Sequence, residues 1–334
     1  MRSCAVTAWG YEAGILFGGC ARVAPATGFA FAMNVFEVDS RLAFTSGVIA
    51  TVIAVFGAIA SAIAAALVPL SGLTFLFVVS AIALLALAIW LGYHTYQLAY
   101  ASYSLDRNAF VIRWGALREV VPMGDVQRVI AAEEVADELR LLRVPLPGWW
   151  FGVGSHPALG KVRFYATEPP EQQIIVVTPE CSYAVSPYDG EAFSDAFRIR
   201  LEMRPTQNVT HARLLPGFAN WRIWRDKTAL TLLILAVALN LALFGFSAMR
   251  FPAASAQIAL HFDASGSVDR LGEKSQLFVP PALGLITLAI SLVAGLGLYR
   301  KGETLAAFMI WGGSAATQLL FFVAALTLGF TLPS

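Results

Sequence analysis

Charge is what this sequence has least of. Only 13% of its 334 residues are Asp, Glu, Lys or Arg, about half the share of an ordinary soluble domain. With 57% hydrophobic residues and a mean hydropathy of +0.67, the composition is that of an integral membrane protein. The few charges balance, 23 basic against 22 acidic, and no Lys/Arg-rich run occurs. Nothing supplies the field that a nucleic acid requires, so nucleic acid is excluded as a partner. Cysteine is nearly absent as well. Cys4, Cys20 and Cys181 show no C-x-x-C or Cys/His ligand spacing, which argues against a disulfide framework and a zinc site alike. Cys181, beside apolar strand residues, reads as a small core residue. No cofactor is implied.

What is abundant is uninterrupted apolar sequence. The stretches 42–68, 73–95, 228–249, 277–299 and 304–330 contain no Asp, Glu, Lys or Arg, and each is long enough to cross about 30 Å of hydrocarbon. Five spans follow, with the lipid bilayer as an obligate partner. Pro69, Leu70, Ser71 and Gly72 break the first pair into a tight hairpin, and Trp90, Tyr93, His94 and Tyr96 place the end of the second at headgroup level. A secondary transporter usually carries ionisable groups inside its spans; these have none, and Asn240 in the third reads as an interhelical hydrogen-bonding residue. Residues 1–41 form a tail in which Met33 is as well placed as Met1 to begin the chain.

Between the second and third spans the hydrophobic pattern changes from continuous to alternating, the mark of half-buried strands. Strands are predicted at 100–105, 110–114, 117–121, 126–130, 161–166, 173–177 and 182–185. A Pro/Gly-rich passage from Val144 to Gly160 reads as a long loop. Ser186, Pro187 and Asp189 present a helix start, with Ser186 as N-cap, and Phe193, Phe197 and Leu201 form the apolar stripe of a helix running to Met203.

Seven short antiparallel strands followed by one amphipathic helix describe a small barrel plugged at one end, an arrangement similar to the pleckstrin-homology (PH) fold. The runs 115–126, 159–167 and 183–193 resemble bacterial PH-like domains of membrane proteins. The expected fold class is therefore a five-span α-helical membrane protein bearing a small all-β PH-like barrel with a C-terminal capping helix. That domain is assigned to 99–205 and followed by a basic, aromatic linker at 206–227. The polar loop at 250–276 resembles a short bacterial membrane module also found in immunity proteins against a sporulation-linked toxin. Pro252, His261, Phe262, Asp263, Gly266, Asp269, Arg270 and Lys274 match its pattern, whereas Leu271 stands where a tryptophan is expected.

Basic residues near span ends set orientation. Arg41, Arg222, Arg225, Lys227, Arg300 and Lys301 fall on one face, which places the PH-like domain in the cytoplasm of a bacterial inner-membrane protein and the 250–276 loop outside. The ligand or interface candidates are Trp149, Trp150, His261, Asp263, Gly266, Asp269 and Lys274. His261, Asp263 and Asp269 are a weak metal set, less economical than a turn capped by His261 and Asp263 with Asp269 paired to Arg270 or Lys274. Trp149 and Trp150 either dip into the membrane interface or cover an open end of the barrel. The hairpin tip Asp106, Arg107 and Asn108 sets one cation beside one anion, a poor basis for the phosphoinositide binding that the PH resemblance brings to mind. No nucleophile-and-base constellation is evident. The expectation is a non-catalytic protein whose PH-like domain binds or assembles with a protein partner. The alternative is a sensor or immunity-type protein detecting a peptide, toxin or ion through the outer loop.

Overall fold

The computed structural model describes residues 34–141, 146–262 and 268–330, with backbone alone at 134, 137, 259–262, 268 and 327–330. The 1–33 tail, with its two cysteines and both candidate starts, lies outside the described residues.

Strand β1 (Asn34–Glu37) leads into helix α1 (Arg41–Leu67), and α2 (Gly72–Leu98) returns to β2 (Ser102–Leu105). Each helix has 27 residues, about 40 Å at 1.5 Å per residue, enough to cross the hydrocarbon. The buried residues of α1 are all small, Ala43, Gly47, Ala54 and Ala58; small side chains let two helices approach where no hydrophobic gain drives them together in lipid. At the hairpin turn Thr74 Oγ1 donates to the Pro69 carbonyl at 2.6 Å. β1 pairs antiparallel with β2, Phe36 opposite Tyr103, so the strand entering the helical hairpin and the strand leaving it are hydrogen-bonded to each other.

The chain continues through β3 (Ala109–Trp114), β4 (Leu117–Pro122), β5 (Arg128–Ala131), β6 (Arg140–Leu141), β7 (Trp150–His156), β8 (Gly160–Ala166), β9 (Ile174–Val177) and β10 (Ser182–Val185) to helix α3 (Gly190–Met203) and β11 (Ala212–Leu214). These strands form two sheets, in the orders β1-β2-β3-β4-β11 and β5-β9-β10-β8-β7-β6. The closed, all-antiparallel barrel expected from the sequence is not formed. β11, from the stretch read as a linker, takes the outer edge of β4, Arg213 opposite Glu119, so β5 pairs with β9 instead. The pair β8 and β10 is parallel, Val162 opposite Ser182.

Two local readings also change. The passage read as a long loop contains β7, because its glycines serve close approach rather than reversal: a Cβ on Gly154 would lie 2.3 Å from the Arg140 carbonyl oxygen. Ser186 is not the cap of α3. Its hydroxyl accepts from the Thr167 N–H at 2.8 Å and Val38 bridges to Pro187, which keeps this stretch extended. The cap is Asp189, whose carboxylate accepts from the Ala192 N–H at 2.9 Å. Phe193 and Phe197 of α3 are fully buried and meet Phe110 edge-on at 5.8 and 5.4 Å.

Helices α4 (Lys227–Arg250), α5 (Val279–Arg300) and α6 (Thr304–Phe330) form the second membrane group, with α4 also packed on α2. Asn240 Nδ2 donates to Gln318 Oε1 at 3.0 Å and to the Pro281 carbonyl at 3.1 Å, and Gln318 Nε2 donates to the Gly284 carbonyl at 2.6 Å. One buried amide pair thus ties all three helices. Between α4 and α5 the chain forms a two-stranded hairpin, β12 (Gln257–Phe262) and β13 (Val268–Glu273). All five long helices are apolar enough to cross a membrane.

Candidate functional site

Three places concentrate chemistry. The first is the join between the sheets and the helical hairpin. Gly148, at φ +77°, brings the chain so near α1 that a Cβ there would lie 2.7 Å from the Ala43 nitrogen. Trp149 follows, 7% exposed, and its indole N–H donates to the Ala43 carbonyl at 2.9 Å. Ser46 Oγ donates to the Pro147 carbonyl at 2.8 Å. The Trp149 ring lies 6.3 Å from Trp90 and 6.2 Å from His94. Trp150 is half-buried and, with Trp114, Phe151 and Leu98, lines a pocket of about 270 Å³ beside this join. The Trp149 ring is sealed between the sheets and the hairpin.

The second is a buried charge between the sheets. Glu119 is fully buried in β4. Its Oε1 accepts from Arg163, and its Oε2 accepts from the Tyr165 hydroxyl at 2.6 Å and lies 3.4 Å from Arg213 Nε. The Tyr183 hydroxyl donates to Oε1 at 3.3 Å and shares a 2.8 Å hydrogen bond with His211 Nε2. Burial first, and the Glu119 charge second, push the pKa of Tyr165 and Tyr183 upward, so both phenols remain hydrogen-bond donors at working pH. The group links β4 and β11 of one sheet to β8 and β10 of the other, which strand pairing does not. Tyr103 adds a second tie, donating to the Tyr165 carbonyl while accepting from the Ser186 N–H at 3.1 Å. The sequence carried a signal for Glu119: it shares the apolar face of Leu117 and Val121, and Arg163 and Tyr165 recur at i, i+2 on β8. His211 and Arg213 had no such signal, because they lie beyond the alternating stretch.

The third is the hairpin tip Asp106 to Asn108. Arg107 Nε donates to the Arg204 carbonyl and Nη2 to the Met203 carbonyl, both at 3.1 Å. Asn108 Oδ1 accepts from the N–H groups of Thr206 and Gln207 at 2.8 and 3.0 Å. The tip holds the chain that leaves α3.

The outer-loop candidates are less concentrated. The backbone of His261 lies in β12 opposite Arg270, whereas Asp263 and Gly266 lie outside the described residues, which leaves the metal set without a described geometry. Among the described residues no three His, Cys, Asp or Glu side chains are grouped to hold a metal. Asp269 is exposed on β13. Lys274 Nζ stands 4.6 Å over the Phe251 ring, and the Lys274 N–H donates to the Ala256 carbonyl at 3.2 Å, closing the base of the hairpin. His156, beside Ser155, is buried and caps a turn, its Nδ1 accepting from the N–H groups of Ala158 and Leu159 at 3.1 and 3.2 Å.

With this geometry, the family comparison is specific about one unit. Residues 101–201 match the family described as Bacterial PH domain. Residues 229–285, covering α4, the β12–β13 hairpin and the start of α5, match the Domain of unknown function DUF1648. No similar curated protein and no similar solved structure was found. The PH match begins and ends inside the two-sheet unit, so β1 and β11 are additions that tie the PH domain to the spans on either side of it.

Proposed function

We propose that this chain is a non-catalytic bacterial inner-membrane protein that holds its PH domain as a fixed platform on the cytoplasmic face, where it binds or assembles with a protein partner. The observation that carries this reading is the state of the hairpin tip. Arg107 and Asn108 are spent on main-chain groups of 203–207, so the place where a PH fold would gather cations for a lipid phosphate is occupied by the protein's own chain. The orientation rests on the Lys/Arg bias: Arg41, Arg222, Arg225, Lys227, Arg300 and Lys301 lie at the helix ends nearest the sheets, the face that is cytoplasmic under the positive-inside rule.

The surface best suited to a partner is the outer edge of β5. β5 pairs on one side only, with β9. Along its other side runs a groove of about 470 Å³ bounded by Arg128, Ile130, Ser194, Arg198 and Leu201. An open strand edge offers main-chain donors and acceptors in register, which suits an extended protein segment adding as a further strand. A photo-crosslinker at Ser194 of the full chain in native membranes tests this. A discrete protein adduct that disappears when Val129→Pro removes an outward donor supports the proposal; adducts to lipid alone contradict it.

A further inference from the structure

On the side of the helices away from the sheets, the β12–β13 hairpin folds over the ends of α4, α5 and α6 and leaves a pocket of about 280 Å³. Its walls have two characters. Phe246, Pro280 and Ala325 provide an apolar floor from three different helices, while Arg250, Arg270 and Gln276 stand around it. A cation in the last turn of a helix is ordinary, since it complements the dipole and extends toward water. Arg270 is exposed and belongs to no helix. It comes from β13, a separate element, and converges on the same pocket as Arg250, whose guanidinium rests 5.8 Å over the Phe246 ring.

Two arginines lining one pocket with an apolar floor at a membrane-helix end fit one chemistry, an anionic head joined to a hydrocarbon chain. We propose that this pocket binds an anionic glycerophospholipid of the surrounding leaflet, with its phosphate on Arg250 and Arg270 and the first part of one acyl chain along Phe246, Pro280 and Ala325. The lipid would secure the hairpin to the helix ends. The site is independent of whatever the PH domain binds.

The test uses the full chain in mixed micelles holding equal phosphatidylglycerol and phosphatidylethanolamine, with retained lipid counted by native mass spectrometry. Phosphatidylglycerol should be retained about tenfold over phosphatidylethanolamine, the scale of a charge-assisted hydrogen bond. The double variant R250Q/R270Q should bring the two lipids to parity, and R250K/R270K, which keeps charge but loses the planar fork, should fall between. Ala325→Phe, which fills the floor, should lower retention of both lipids, and R113Q/R118Q in the PH domain, at two exposed arginines, should change nothing. Equal retention by the unmodified chain, a preference that survives R250Q/R270Q, or displacement of the lipid by millimolar inorganic phosphate would each overturn the proposal, the last by showing a site for free phosphate.

Discussion

The indole N–H of Trp149 meets the carbonyl of Ala43 at 2.9 Å across 106 positions of sequence. It joins the start of β7 to the first turn of α1, so the PH domain is part of the membrane hairpin rather than a bead on a string. Trp149→Phe should lose the hydrogen bond and the packing of part of the indole, about 2 kcal/mol. Trp149→Ala should cost about 3–5 kcal/mol through the cavity it leaves. Thermal unfolding of the full chain in micelles separates the two; equal effects would show that the ring is not packed as described.

Glu119 and Arg163 form the tie between sheets. Glu119→Gln keeps the hydrogen-bonding shape but leaves Arg163 without its counter-charge. Because the Arg163 side chain retains 15% exposure, the loss should be about 3 kcal/mol, the lower end for breaking a buried pair. The double replacement E119Q/R163Q should cost less than E119Q and R163Q summed, since no guanidinium then faces a neutral amide at position 119, while that amide keeps an acceptor for the Tyr165 hydroxyl. Denaturant unfolding of the unmodified chain, E119Q, R163Q and E119Q/R163Q in a mutant cycle checks this, and additive losses would contradict it.

Much of this architecture is legible before folding. The five helices follow from uncharged length, and the strand positions from period-two alternation, because burial on one face leaves its trace in every second residue. What the sequence hides is pairing. β1 has only four residues, at the end of a tail, and β11 only three, in a basic linker; neither is long enough for alternation to show, yet together they complete one sheet. β7 is hidden for a different reason. Its glycines permit close contact with a neighbouring strand, and from sequence alone they cannot be told from glycines that permit a turn. Of the candidate site, Trp149 was visible as an unusual aromatic run and Glu119 as a carboxylate on an apolar face, but their partners come from distant segments that no local pattern connects.

The amide pair of Asn240 and Gln318 should matter less than its burial suggests. Asn240→Leu should cost about 1 kcal/mol, because hydrogen bonds inside membranes average well below 2 kcal/mol. N240L/Q318L should cost no more than Gln318→Leu alone if the two amides act as one unit. Steric trapping or unfolding in micelles provides the measurement.

Asp226 caps α4. Its carboxylate accepts from the Ala229 N–H at 3.1 Å and from the Tyr299 hydroxyl at 2.8 Å, and these bonds, the main-chain one first, hold its pKa below the usual carboxylate value. A depressed carboxylate contributes stability that is present above its unfolded pKa of about 4 and lost as pH falls through the lower folded value. Asp226→Asn, which preserves a cap but cannot titrate, should flatten this part of the acid limb while leaving stability near pH 7 within about 1 kcal/mol. An unchanged acid limb would remove Asp226 from the account.

The most direct test of a PH domain fixed to its membrane hairpin is hydrogen exchange of the full chain in nanodiscs, comparing unmodified protein with Trp149→Ala. If the two are one structural unit, the substitution should raise exchange together at residues 41–46 of α1 and at 146–151, and leave α4 to α6 unchanged. Loss of protection confined to 146–151, with the first turns of α1 exchanging as before, would mean that the PH domain hangs from the membrane by its connections alone.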